Sequence, residues 1–292
     1  MLLEGGEITL DGTAADPEQR ARALDALGAG QAEITLLDDG TPPGFTLTYD
    51  VRRGAMISGK LPVELRLADL SAALGLAVGG VPSVSPEGSE APVVATLRAI
   101  APLLPELDEA LVAFADDAIS VRLVLRAPVA AEPVRDTLGQ TLSDGVALEV
   151  VPGAAPALGT RRVNILSNGT DIFVSGHWLP ELGFAPNRES CAAGLGVVPS
   201  IAFEEGRFAL PARSGPVQAQ LAALARACTG IAGLTLRLHG QTDSAPLPAI
   251  NRQIARRRAE ALRSALVERG VAAARIRTEA TEGAEALTYA FE

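Results

Sequence analysis

Runs of alternating apolar and polar residues, separated by stretches of helical period, recur three times in the first half of the chain, and this ordering admits few folds. Residues 7–12 (EITLDG) alternate as a strand, residues 18–27 read as a helix, and residues 32–37 alternate again. Asp16 suits the N-cap and Pro17 the first helical position, where the missing N–H would have had no acceptor. Strands at 46–52 and 55–60 precede a second helix, 62–74. A third copy runs from a strand at 119–126, whose Ile119, Val121, Leu123 and Leu125 line one face, through a helix at 132–142 to a strand at 146–151. The expectation is an α/β chain whose first 152 residues are strand–helix–strand repeats.

Between the second and third copies the composition changes. Residues 79–92 (GGVPSVSPEGSEAP) are rich in Gly, Pro and Ser and read as a flexible connector, dividing the repeats into about 5–78 and 93–152. Residues 93–114 read as a long helix broken at Pro102 and Pro105, because a proline removes a backbone donor and clashes with the preceding turn. A second linker, 153–160 (GAAPALGT), opens a linking region over 153–189 with strand-like pieces and the only tryptophan, Trp178. Aromatic residues make up only 3% of the chain, and Trp178 reads as the anchor of a small hairpin packed on the next domain.

From Ser200 the order is strand (201–203), helix (215–228), strand (234–238), helix (251–269), strand (275–279) and a last strand ending at Phe291. Two successive strand–helix–strand turns imply a two-layer α+β sandwich with helices on one side of a mixed sheet. Leu234, Leu236 and Leu238 alternate with Thr235 and Arg237, so that strand has one buried face. The long helix, opened by Asn251, carries an apolar stripe of Ile254, Ala255, Ala261, Leu262, Ala265 and Leu266. Arg258 lies on that stripe, four residues from both Ile254 and Leu262, where a guanidinium must snorkel outward or be paired. Arg256, Arg257 and Arg263 lie toward other faces and read as solvated. Gly240-Gln-Thr242-Asp243 stands at the C-terminal end of the apolar strand, where α/β sheets place ligand-contacting loops. The Asp243 carboxylate and the Arg258 guanidinium can therefore converge, either on a ligand or on each other to hold helix to loop.

Composition removes several functional classes. A formal net charge of −10 repels nucleic-acid phosphates and anionic lipid surfaces. No window approaches the roughly 20 apolar residues that span a bilayer, and MLLEGGEITL lacks the basic start and apolar centre of an export signal. Met1 runs almost directly into a strand-like segment, so the expectation is a natural N-terminal part upstream of this chain. Two histidines, His177 and His239, are too few for a histidine-rich metal centre or a choice of catalytic triads. Cys191 and Cys228 match neither a CxxC redox pair nor a four-ligand zinc site, and by count alone two unrelated buried thiols remain an open reading.

Two stretches resemble known families. The repeats in 5–152, with pieces such as ITLDGTA, resemble BON domains, small α/β modules of exported bacterial envelope proteins that often precede an OmpA-like domain. That resemblance implies envelope association through membrane lipid or envelope proteins and no catalytic residue. The second is more specific: GQTD followed by NRQIARRRAEALRSALVERGVAAARI resembles the C-terminal domain of the OmpA family. Its pattern is Gly-x-Thr-Asp, eight residues to an Asn, then Leu-Ser-x-x-Arg-Ala, and Asp243, Asn251, Ile254, Arg258 and Ala259 fall on those positions without a gap. Upstream, IAFEEGRFAL resembles the family's first strand, so the likeness covers about residues 190–292.

The OmpA resemblance implies a non-enzymatic module without cofactor or metal that holds the diaminopimelate of the peptidoglycan stem peptide and anchors an envelope protein to the cell wall. Asp243 would take the ammonium and Arg258 the carboxylate through its bidentate fork, with Thr242 and Asn251 completing the site. It also implies a Cys191–Cys228 disulfide and hence an oxidising compartment, the periplasm of a Gram-negative bacterium. The rival reading is a degenerate OmpA-like and BON module that contacts proteins or lipid without binding peptidoglycan. The chain departs from the family pattern at Ala255 for Ser, at Pro246 for a loop Gly, and at Leu287-Thr288-Tyr289 for Asn-Arg-Arg. The last change removes flanking cations, so weaker and less salt-sensitive binding is expected.

Overall fold

In a computed structural model of the chain, the alternating runs become strands wherever a second strand is available to pair with them. The structure describes residues 2–4, 7–14, 17–27, 31–36, 41–86, 91–115, 118–204, 206–211, 214–231, 233–242, 248–282 and 286–292. The chain divides into two units, Met1–Leu125 with Ala130–Val151, and Arg126–Val129 with Pro152–Glu292.

In the first unit, β1 (Leu2–Glu4), β2 (Glu7–Ala14), α1 (Pro17–Leu27) and β3 (Gln31–Leu36) make a three-stranded sheet. There β1 is antiparallel to β2, and β3 is parallel to it. The expected N-cap, Asp16, lies outside the described residues; Pro17 does take the first helical position. The same ββαβ order returns as β4 (Gly44–Asp50), β5 (Gly54–Pro62), α2 (Leu67–Leu74) and β6 (Val78–Gly79). After β7 (Ser83–Ser85) and α3 (Ala91–Ile100) it returns again as β8 (Leu107–Ala115), β9 (Ala118–Leu125), α4 (Ala131–Gly139) and β10 (Ala147–Val151). Antiparallel pairing of β4 with β8 joins the last two copies into one seven-stranded sheet, ordered β10-β9-β8-β4-β5-β6 with β7 also on β5. One face is apolar: Leu47, Tyr49, Ile57, Val112, Val121 and Leu123 are buried, and Phe45 stacks on its cross-strand partner Phe114 at 5.5 Å.

Two sequence expectations fail here. The helix expected over 93–114 ends at Ile100; a 3-10 turn over Ala101–Glu106 absorbs both prolines, and the rest is β8. Leu, Ala and Val run through that segment, so local preference did not separate helix from strand. Pairing with β4 on one side and β9 on the other decided it. Residues 79–92, read as a flexible connector, contain part of β6 and all of β7, both parallel to β5, with Ser85 buried. Strands of two and three residues are too short for periodicity to reveal. Residues 87–90 lie outside the described set.

The second unit opens with an antiparallel meander of β11 (Arg161–Asn164), β12 (Gly169–Val174) and β13 (His177–Pro180). It continues through α5 (Arg188–Gly196), β14 (Ile201–Ala202), α6 (Gly215–Cys228), β15 (Leu236–Thr242), α7 (Pro248–Glu268), β16 (Ile276–Glu282) and β17 (Ala286–Phe291). The four-stranded sheet is mixed, in the order β14-β17-β15-β16, with β15 parallel to β16 and antiparallel to β17. Leu236 and Leu238 of β15 share a core with Leu221 and Leu224 of α6 and Leu262 and Leu266 of α7. Full burial of each such leucine contributes about 1.5–3 kcal/mol. Leu179 of β13 and Val174 of β12 pack into the same core, so the meander is part of this unit's interior. Trp178 is buried edge-on against Phe173, as an anchor of the meander. The helix expected to open at Asn251 begins instead at Pro248, because proline at the first helical position needs no acceptor for an N–H it lacks.

Cys191 of α5 and Cys228 at the end of α6 form a fully buried disulfide that closes a 37-residue separation and packs on Leu234. Cross-linking a loop of that length removes unfolded-chain entropy equivalent to about 3–4 kcal/mol. Unreduced protein unfolded in denaturant should therefore show no titratable thiol, and reduction should lower the unfolding free energy of the second unit by about that amount.

Candidate functional site

Strand β15 and helix α7 meet at unusually short range, and the contact is made by the glycine of the Gly240-Gln-Thr-Asp motif. A Cβ at Gly240 would collide with the carbonyl oxygen of Ala255, lie 2.6 Å from its carbon, and sit 3.2 Å from Ala259 Cβ. The motif's glycine and the helix's two alanines are thus one steric unit. Thr242 ends β15 opposite Glu282 of β16. Asp243 lies outside the described residues; of the other expected residues Thr242 stands on β15 and Asn251 and Arg258 on α7.

Arg258 is 5% exposed. It does not snorkel; its guanidinium is held by the segment after β14. Nε donates to the Arg207 carbonyl at 2.8 Å, Nη2 donates to the Glu204 carbonyl at 3.0 Å, and the carbon of the fork lies 4.9 Å from the centre of the Phe203 ring. Backbone oxygens and an aromatic face offset the loss of water around a buried cation. Asn251 is half-buried in the first turn of α7. On the neighbouring face Arg257 stacks over Phe208 at 4.8 Å, and Phe208 is 42% exposed.

The grip on Arg258 was not anticipated. Glu204 and Arg207 act through main-chain oxygens, more than 50 residues away in sequence, and a carbonyl acceptor leaves no side-chain signature. IAFEEGRFAL was matched only as a strand, and just Ile201–Ala202 are one. A second polar cluster was also missed. Asp171, 2% exposed, accepts from Arg126 and from Asn164 Nδ2 at 2.9 Å and lies 4.0 Å from Arg162, whose guanidinium covers Trp178 at 3.8 Å. These residues are scattered over 126–178, and their joint burial fixes the meander rather than opening a cleft.

The positions where the family has Asn-Arg-Arg are occupied structurally. Leu287 is in the core opposite Ile201, and Tyr289 donates its hydroxyl to the Pro199 carbonyl, with burial pushing its pKa up to about 12. On the opposite face of the sheet, Glu279 bridges Arg237 at 2.8 Å and lies 3.7 Å from His239. Among the described residues no group of three His, Cys, Asp or Glu side chains could hold a metal ion. A depression of about 290 Å³ lies in the first unit, over Thr48, Asp50, Met56, Glu109 and Arg122 on the sheet.

Comparison with known proteins bears on the second unit alone. Residues 202–290 match the model of the OmpA family, and this part of the chain is an OmpA-like domain. No curated protein matches the chain. Among solved structures, the OmpA-like domain of FopA1 from Francisella tularensis subsp. tularensis SCHU S4 is 13% identical, covering 32% of this chain and 70% of that one at a TM-score of 0.28. The peptidoglycan-associated lipoprotein from Burkholderia pseudomallei is 19% identical, covering 32% of this chain and 89% of that one at the same TM-score of 0.28.

The Gly240 contact gives a direct test. Gly240→Ala forces α7 away from β15 and should destabilise the second unit by about 1–3 kcal/mol or more, measured by denaturant unfolding. A variant as stable as the parent would show that the strand and helix do not approach this closely.

Proposed function

We propose that the OmpA-like domain binds the diaminopimelate-containing stem peptide of peptidoglycan and anchors an envelope protein to the cell wall without a covalent bond. The observation that carries this reading is Arg258: a guanidinium buried on α7 and oriented by the backbone carbonyls of Glu204 and Arg207, on a helix within the stretch that matches the OmpA family. The two carbonyls and the Phe203 ring hold the guanidinium in a fixed orientation, and the planar fork of an arginine suits bidentate recognition of a carboxylate. In this reading Asp243 supplies the opposite charge for the ligand's ammonium, while Thr242 and Asn251 border the site. A zwitterion satisfies both charges at once, whereas a singly charged analogue leaves one unmatched, which is the source of specificity.

The domain performs no reaction in this proposal; it binds. The buried Cys191–Cys228 disulfide supports an oxidising location such as the periplasm. The first unit's repeats, with their resemblance to BON modules, would then contact lipid or another envelope protein.

Full-length protein should be retained on purified diaminopimelate-type sacculi. Asp243→Ala and Arg258→Ala should each weaken binding of a soluble muropeptide by at least roughly thirty-fold, since truncating one partner of a buried charge pair costs about 2–5 kcal/mol. Circular dichroism of both variants checks that the fold persists. Retention equal to the parent in folded variants would remove these two residues from the site.

A further inference from the structure

The way Arg258 is gripped says more than that it is buried. A guanidinium can meet a carboxylate along its side, through Nε and Nη2, or across its end, through Nη1 and Nη2. Here the side is spent: Nε reaches Arg207 O at 2.8 Å and Nη2 reaches Glu204 O at 3.0 Å. Those carbonyls belong to one tight turn, closed by the Arg207 N–H donating to Glu204 O at 3.0 Å and containing Gly206 at φ 67°. Phe203, at the start of the turn, lays its ring against the same fork at 4.9 Å.

We infer that Phe203, the Glu204 and Arg207 carbonyls and Gly206 form a positioning clamp that fixes the orientation of the Arg258 fork. Resting on the wall-binding reading, the clamp also sets how the ligand arrives: its carboxylate is received across the Nη1–Nη2 end, because the Nε–Nη2 side is held by the two carbonyls. A fork held in advance loses little freedom on binding, so the clamp favours affinity as well as direction. Phe203 and Gly206 are positioning residues that need not touch the ligand.

Gly206 is a clean probe, because a Cβ there meets nothing within 4 Å and only the left-handed backbone resists it. Phe203→Leu keeps apolar bulk and removes the aromatic face, and Phe203→Tyr keeps the face. On the full chain, the Arg258 Nε–H resonance would be assigned by its loss in Arg258→Lys, its hydrogen exchange followed by NMR, and diaminopimelic acid titrated calorimetrically. Phe203→Leu and Gly206→Ala should speed Nε–H exchange and weaken diaminopimelic acid roughly three- to tenfold, the range expected for one cation–π contact. Phe203→Tyr should restore both. Unaltered exchange and affinity in folded Phe203→Leu and Gly206→Ala would overturn the clamp. If the parent fails to bind diaminopimelic acid yet its Nε–H is protected and Phe203→Leu removes that protection, the wall-binding reading falls and the clamp stands.

Discussion

The second unit depends on how closely α7 can lie on β15. Gly240 has no side chain, Ala255 and Ala259 have almost none, and the helix therefore sinks until backbone meets backbone. That depth carries Leu262 and Leu266 into contact with Leu236 and Leu238 and lowers Arg258 to the level of the turn after β14. A bulkier residue at any of the three positions would lift the helix, thin the core and move the guanidinium away from the carbonyls that hold it. The glycine of the Gly240-Gln-Thr-Asp motif is thus a packing residue.

Two buried charges in this unit are stabilised by different means. Asp171 is surrounded by guanidinium and amide groups, so its charge is matched within the protein and a further ligand has little to gain there. Arg258 donates to two backbone carbonyls and lies against an aromatic ring, which relieve its desolvation. Both residues are almost fully buried.

In the first unit, two ββαβ copies become one sheet because their leading strands, β4 and β8, pair with each other. Each copy by itself offers only three strands with one apolar face. Joined, they bury that face along six ordered strands, with Phe45 against Phe114 at the seam. Residues of the opposite face, among them Met56 and Leu111, remain partly exposed.

Much of this was legible from residue order. Strict alternation at 119–125 fixed which side of β9 is buried, because side chains on a strand can face only two ways. The stripe on α7 placed Arg258 on the core side, where it is buried. What the sequence left undecided depended on partners far along the chain. Residues 107–115 became a strand because β4 and β9 lay on either side, and residues 83–85 joined the sheet because β5 had an edge to offer. The hold on Arg258 comes from main-chain oxygens of residues 204 and 207, which every sequence possesses. The sequence by itself determined most of the elements and the buried faces of β9, β15 and α7, since those follow from local period and side-chain type; only the tertiary structure decided strand pairing and the hold on the Arg258 guanidinium, because backbone groups acquire partners only when distant segments meet.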